Sequence, residues 1–259
     1  MKFCRIIMLF LFPVSVIAAD PAFDDINDSD MTEITKGMGA NFLHNSIMGA
    51  SEMGTLFGFQ LGLVAAQTSV PKINDIAKEN AGAELPNLYN AGLMGAIGVP
   101  FGISVEGVFV PSTKIDGLKL QTTSLALKWN INDVVPVLPI NVALRGFYSL
   151  AEFSFEQTTP VNTTVKNDTK VSGIQLLISP MFPLIEPYAG IGIVNADNEL
   201  TGTGIFDAGY TVGTSASKKE SGTQILVGVN ANLVLFKLGA EYSRAFSNDR
   251  IGVKIAFGF

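Results

Sequence analysis

The C-terminal segment of the chain, residues 250–259, alternates strictly between apolar side chains and small or charged ones. The apolar residues occupy every second position up to the last one: Ile251, Val253, Ile255, Phe257 and Phe259. A β-strand has this period-two pattern when its two faces meet different environments. A membrane β-barrel requires such strands, because one face of its wall meets lipid and the other faces the lumen. The segment therefore predicts a barrel strand.

The hydropathy of the whole chain favours the same architecture. Its mean hydropathy is +0.36, and 47% of its residues are hydrophobic. Nevertheless, no apolar run after residue 20 approaches the roughly 18 to 20 residues that a membrane helix needs. The apolar residues are spread through short alternating segments instead. We therefore predict an all-β fold, an antiparallel transmembrane β-barrel.

The alternating segments predict ten strands, with eight or twelve strands as alternatives. They cover about residues 57–66, 88–99, 101–110, 120–131, 139–150, 170–180, 185–196, 221–230, 234–245 and 249–259. The long connections at 67–87, 151–169 and 197–220 alternate with short ones. Bacterial barrels have long external loops, short periplasmic turns and periplasmic termini. The three long connections are therefore predicted to be external.

Residues 1–19 have the features of a secretory signal peptide. Lys2 and Arg5 form a basic region, and an apolar run covers residues 6–17. Small residues at 18–19 provide a cleavage site. The apolar run is too short to span a membrane as a helix. We therefore expect export through a cleaved signal peptide.

The exported chain is expected to be acidic and free of cysteine. Cys4 is the only cysteine and lies in the signal peptide, which excludes disulfides and thiolate metal sites. Removing Lys2 and Arg5 from the 17 Lys and Arg residues leaves 15 against 23 Asp and Glu residues, a net charge of −8. That sign disfavours nucleic-acid partners. We expect a monomer in the bacterial outer membrane, in contact with its lipids. The barrel-assembly machinery is expected to read the C-terminal strand as an assembly signal.

Residues 20–55 precede the barrel, which is predicted to cover residues 56–259. Asp30 and Glu33 have capping-box spacing, and the apolar residues after Asp30 predict a short helix at 31–38. Three interpretations of the segment remain open. It enters the barrel mouth from the periplasmic side as a plug, it is a loosely ordered leader, or it adds a strand.

Charged side chains recur on the predicted inner faces of the strands. The candidate lumen-lining residues are Glu106, Lys128, Arg145, Glu186, Glu241, Arg250 and Lys254. Glu241 and Lys254 are on adjacent strands and are expected to lie near each other. Lys128 and Arg145 are each expected to need a carboxylate such as Glu106. These residues either line a narrow pore or form an ion-pair core that fills a small barrel.

The chain offers little for catalysis. His44 is the only histidine, and it precedes the first predicted strand. A Ser-His nucleophilic site needs a histidine held by the barrel strands, and a histidine-based zinc site needs more ligands. We therefore expect no enzymatic activity, no cofactor and no metal.

Several short motifs resemble an uncharacterised family of predicted bacterial outer-membrane β-barrel proteins. They lie at residues 36–46, 57–59, 98–102, 127–129 and 186–192. The resemblance would cover most of the exported chain. It implies a barrel, without an activity or site residues.

Two functions remain open from the sequence. The first is a narrow passive channel or transporter for a small or hydrophobic solute, suggested by the inward polar residues and the N-terminal segment. The alternative is a non-conducting structural or surface-binding barrel that acts through its external loops.

Overall fold

The chain folds into a closed barrel of ten antiparallel strands. The structure is a computed structural model that describes residues 27–54, 57–81, 84–115, 118–133, 139–157, 162–182, 184–205 and 211–259. The predicted signal peptide lies outside the described residues. None of the described helices is both long and apolar enough to cross a membrane.

The strands follow one another around the barrel in chain order, and β1 pairs with both β2 and β10 to close it. Their bounds are β1 Gly58–Ser69, β2 Asn87–Val99, β3 Ile103–Ile115, β4 Leu118–Asn130, β5 Ile140–Gln157, β6 Asn162–Pro180, β7 Ile185–Ile205, β8 Thr211–Leu233, β9 Phe236–Ala245 and β10 Asn248–Gly258. The predicted fold class and all ten predicted strands are confirmed. A short 3₁₀ helix, Ile131–Asp133, follows β4.

The outer face of the wall is apolar, as a lipid-facing surface requires. On β10 the side chains of Ile251, Val253 and Ile255 are exposed by more than half. Phe257 and Phe259 lie on the same outer face. All five residues of the predicted assembly signal are therefore on the outer surface, and their recognition by the assembly machinery stays a prediction.

Four strands are much longer than the sequence indicated. β7 has 21 residues and β8 has 23, which correspond to about 70 Å at roughly 3.3 Å per residue. The apolar band of an outer-membrane barrel is only about 25 Å tall. The connections predicted at 151–169 and 197–220 are therefore largely extensions of β5–β8. We call the end of the barrel with these extensions the loop end, and the end with the hairpin turns at 100–102 and 234–235 the turn end.

Two helices occupy the loop end. Helix α1 (Asp28–Asn41) contacts the inner side of β6, β7 and β8, and helix α2 (Pro71–Ala81) lies in the β1–β2 connection. Met31 and Ile34 of α1 pack with Val70 and Ile73 around α2. The helix pair therefore covers the lumen at this end.

Helix α1 begins earlier than the sequence indicated. Asn27 is the N-cap: its side chain accepts hydrogen bonds from the backbone of Ser29 and Asp30, and the Asp30 carboxylate accepts from the Asn27 backbone N–H at 3.2 Å. The predicted capping box at Asp30 and Glu33 is wrong by one turn. Glu33 instead accepts a hydrogen bond from Lys36 at 2.8 Å.

We predict that Asn27→Ala destabilises α1 by about 1 kcal/mol, because two backbone N–H groups lose their acceptor. The expected result is faster amide hydrogen exchange across residues 28–32, with the barrel strands unchanged. Asn27→Asp retains an acceptor and serves as the matched control. Equal exchange rates in Asn27→Ala and the unmodified protein would contradict this assignment.

After α1 the chain runs through the lumen toward the turn end. Residues 41–50 are all buried. Phe42 and Leu43 pack in an apolar cluster with wall residues, and Met53 packs with residues of β1, β2, β3 and β10 in another. We call residues 27–54 the plug. Its helix lies at the loop end, and its last residues lie at the turn end, where β1 begins.

Candidate functional site

A buried polar network joins the plug to the wall, and Glu106 lies at its centre. Glu106 is on the inner face of β3, opposite Ala96 of β2 and Ala126 of β4. These small neighbours leave room for a carboxylate and the groups that approach it. The Glu106 side chain is completely buried, so it needs compensating partners within the lumen.

Two wall cations compensate the charge of Glu106. Arg145 Nη1 lies 3.4 Å from Glu106 Oε2, and Lys128 Nζ lies 3.9 Å from Oε1. Lys128 and Arg145 are directly opposite each other on β4 and β5. Adjacent like charges are unfavourable without a shared counterion. Both cations therefore lie near the carboxylate that they were expected to share, and their dependence on it stays a prediction.

The plug contributes two partners to the same carboxylate. Ser46 Oγ donates to Glu106 Oε2 at 2.5 Å, and His44 Nε2 lies 3.2 Å from the same oxygen. His44 Nδ1 lies 2.7 Å from Ser124 Oγ on β4. His44 precedes β1 and is not part of the wall, as the sequence indicated, but it contacts wall side chains. The plug crosses the lumen and brings this histidine between two strands. We call Glu106, Lys128, Arg145, His44 and Ser46 the Glu106 network.

Ser124, His44 and Glu106 have the order of a nucleophile, a base and an acid. Ser124 Oγ also lies 2.6 Å from Ser149 Oγ, and the Ser124 residue is only 3% exposed. Glu106 is further engaged by two cations, unlike an acid that serves a histidine alone. The arrangement therefore satisfies buried polar groups at the contact between plug and wall.

Wall side chains also bind the plug backbone, which has no regular secondary structure here. Successive carbonyl oxygens at residues 48–51 accept from them: Arg145 Nη1 to residue 48 at 3.3 Å, Lys128 Nζ to residues 49 and 51 at 2.9 and 3.0 Å, and Asn130 Nδ2 to residue 50 at 2.6 Å. The Ser51 N–H donates to Glu186 Oε1 at 2.9 Å. Buried backbone groups need such partners, so these wall residues hold the plug in a defined conformation.

Inward-facing glycines make room for the plug. A Cβ atom at Gly239 would lie 2.8 Å from Ile47 Cγ2, and one at Gly252 would lie 3.1 Å from Ile47 Cδ1. At the turn end, a Cβ at Gly98 would lie 2.8 Å from Met53 Cβ. At these three positions the wall has no side chain, and the plug occupies the space.

All predicted lumen residues are buried on the inner face, and Glu241 and Lys254 lie diagonally across two neighbouring strands. In the ladder Glu241 is opposite Gly252, and Lys254 is opposite Gly239. The Tyr188 hydroxyl donates to Glu241 at 2.9 Å, while Lys254 donates to Gln60 Oε1 at 3.4 Å. The two charges are thus offset by two residues along the strands, and each has another hydrogen-bond partner.

Some wall residues of the site were not predicted. Ser124 and Asn130 on β4 bind the plug, and Gln175 on β6 accepts from Arg145 Nε at 2.6 Å. Their polar side chains at inward positions of predicted strands were the available signal. The polar run at residues 44–46 was the corresponding signal in the plug.

The sequence matches a known protein family. A family profile matches residues 10–259. The chain belongs to that family, described as a family of unknown function (DUF6588). The resemblance stated from the short motifs is thereby confirmed. No curated protein matches the sequence.

Several solved bacterial barrels are similar to the chain. The outer-membrane protease OmpT from Escherichia coli is 10% identical, with 84% of this chain and 98% of that chain covered and a TM-score of 0.47. The translocator domain of the autotransporter NalP from Neisseria meningitidis is also 10% identical, with 89% and 95% covered and a TM-score of 0.46. The toluene transporter TbuX from Ralstonia pickettii is 10% identical, with 85% and 93% covered and a TM-score of 0.28. None of these similarities carries an argument about activity.

Proposed function

We propose that the chain is an outer-membrane barrel that passes a small solute when the plug moves from its position in the lumen. The glycines that face the plug carry this proposal. Small barrels fill their interior with side chains of their own wall, whereas Gly239 and Gly252 leave space that Ile47 of the plug occupies. Movement of the plug would therefore leave a passage.

The polar character of the contact between plug and wall supports a movable plug. Ion pairs buried in a protein stabilise weakly, because desolvation offsets most of their attraction. Several buried atoms also have no hydrogen-bond partner among the described residues, including Arg250 Nε and Nη2, Asn45 Oδ1 and Glu106 Oε1. Water entering the lumen would satisfy these groups, which lowers the free-energy cost of moving the plug.

The proposed orientation follows from the lengths of the strands. The loop end is external and the turn end is periplasmic, because bacterial barrels carry their long connections outside. The apolar outer face contacts outer-membrane lipid, and the barrel works as a monomer after export. The Glu106 network holds the plug and takes no part in catalysis.

A disulfide between plug and wall tests the proposal. A Cβ at Gly252 would lie 3.0 Å from Asn45 Oδ1, so we expect Asn45→Cys combined with Gly252→Cys to form a disulfide on oxidation. Cys4 is the only cysteine of the sequence, so no other thiol competes in the exported chain. In liposomes, the oxidised double variant is expected to block solute flux, and a reductant is expected to restore it.

The two single variants are the controls, because they carry the same added side chains without a disulfide. Each single variant is expected to pass solute whether oxidised or reduced. Flux through the oxidised double variant equal to flux after reduction would overturn the proposal. So would an absence of flux through the unmodified barrel in every condition.

The extensions of β5–β8 favour a second candidate, a non-conducting barrel that binds partners at the cell surface. These extensions carry polar and charged residues. Lys166, for example, forms ion pairs with Asp168 at 2.8 Å and with Glu152 at 3.7 Å. An impermeable barrel that loses cell-surface binding when β5–β8 are shortened would favour this function over transport.

A further inference from the structure

A polar cavity lies at the turn end, between the plug and the wall. Its volume is about 210 Å³. Plug residues 48–54 form one side, and inward-facing residues of β1, β4, β7, β8, β9 and β10 form the other. The lysines that line it are Lys128, Lys237 and Lys254. No hydrogen bond or ion pair of the Glu106 network includes Lys237 or Lys254.

Lys254 is a buried cation with unused hydrogen-bonding capacity. Only 5% of the residue is exposed. Its ammonium group carries three donors, and its one hydrogen bond among the described residues is a long one of 3.4 Å to Gln60 Oε1. The carboxylates of Glu106, Glu186 and Glu241 attract its charge from a longer distance. Lys237 lines the same cavity and has no hydrogen-bond partner among the residues that the structure describes. A buried ammonium with few hydrogen bonds, such as that of Lys254, favours a further acceptor.

The carboxylate within the cavity wall already has its donors. Glu186 accepts from the Ser51 N–H and Ser179 Oγ, both at 2.9 Å, and from Asn230 Nδ2 at 3.5 Å. Lys128 is likewise engaged by the plug carbonyls. Glu52 lies at the exposed edge of the cavity. The unused capacity inside the cavity therefore belongs to the ammonium donors of Lys254 and Lys237.

We propose that this cavity binds a small oxyanion, a carboxylate or a phosphate, through Lys254 and Lys237. Ammonium groups form short, charge-assisted hydrogen bonds with such oxygens. The three lysines of the cavity lie on the inner side of the wall, so the proposed ligand is a free solute and not the headgroup of a lipid outside the wall. Binding at this site requires no movement of the plug, and the inference therefore stands independently of the proposed transport.

Titration calorimetry of the full barrel in a neutral detergent tests the site, with inorganic phosphate and acetate as separate probes. At least one probe is expected to bind the unmodified protein. Lys254→Met is expected to weaken binding by roughly tenfold or more, since hydrogen bonds to charged groups contribute about 1.5–3 kcal/mol each. Lys254→Arg retains the charge and is expected to retain most of the affinity.

Lys219→Met is the matched control, because Lys219 is 80% exposed and pairs with Asp197 on the loop-end extension. It makes the same change in net charge and is expected to leave binding unchanged. Circular dichroism of each variant shows whether the barrel is folded.

Failure of both probes to bind the folded, unmodified barrel would overturn the inference. Equal loss of affinity in Lys219→Met and Lys254→Met would overturn it as well, because binding would then reflect net charge. Binding of anionic lipid vesicles without phosphate or acetate binding would assign the lysines to a headgroup instead.

Discussion

Replacing Glu106 with alanine is expected to lower the free energy of unfolding of the barrel by about 3–5 kcal/mol, the usual effect of removing one partner from a buried ion pair. The reason is that Arg145 and Lys128 would keep their charges in the lumen without the carboxylate that lies 3.4 and 3.9 Å away. His44 and Ser46 of the plug would lose the same partner. Urea unfolding in detergent micelles, followed by tryptophan fluorescence, measures the change.

Glu84→Ala is the matched control for this substitution. The Glu84 carboxylate pairs with Lys78 at 3.1 Å, but its side chain is 75% exposed. Exposed pairs contribute little to stability, so this variant is expected to unfold at nearly the same urea concentration as the unmodified protein. Similar destabilisation by Glu84→Ala and Glu106→Ala would show that the buried ion pairs of Glu106 stabilise the barrel no more than an exposed pair does.

Lys128→Met is expected to release the turn-end half of the plug and to raise solute flux. The substitution removes the ammonium that donates to the carbonyls of residues 49 and 51. Arg145 still compensates the charge of Glu106. Two hydrogen bonds from a charged donor contribute about 3 kcal/mol or more, so the ratio of open to closed barrels is expected to rise by on the order of a hundredfold. Single-channel recording in planar bilayers measures this ratio.

Amide hydrogen exchange separates loosening of the plug from opening of the barrel. Exchange at residues 48–51 is expected to accelerate in Lys128→Met and to stay slow in Lys219→Met. Adding the oxidised cysteine pair at positions 45 and 252 is expected to abolish the extra flux. Faster exchange without extra flux would mean that the plug loosens while the lumen stays blocked, which contradicts the transport proposal.

The strands were predictable because lipid and lumen impose opposite requirements on their two faces. On β10, for example, Val253 faces outward and Lys254 inward, and this contrast is visible in the sequence. The extensions of β7 and β8 beyond the apolar band lack that contrast, because their outer face meets water. Their Thr, Ser and Gly residues therefore resembled a loop, although they continue the ladder from Asp197 opposite Lys219 to Ile205 opposite Thr211.

The site was predictable on the wall and not in the plug. Glu106, Lys128 and Arg145 were recognised because charged residues interrupt inward faces of small side chains. The partners of His44 lie 62 and 80 residues away in the sequence. The plug has no regular period after α1, so no pattern indicated which strands it contacts. The offset of Glu241 from Lys254 depends on the register of β9 and β10, which hydropathy does not determine.

The path of the plug constrains the order in which the barrel is assembled. The chain passes down the lumen from α1 to residue 54, β1 begins at residue 58 at the turn end, and β1 pairs with both β2 and β10. If the β1–β10 ladder closed first, the preceding segment would have to thread through a finished cylinder. We therefore expect the plug to lie in the curved, unfinished sheet before its last two edges meet. In that order of assembly, the residues that hold the plug act as a template around which the wall closes.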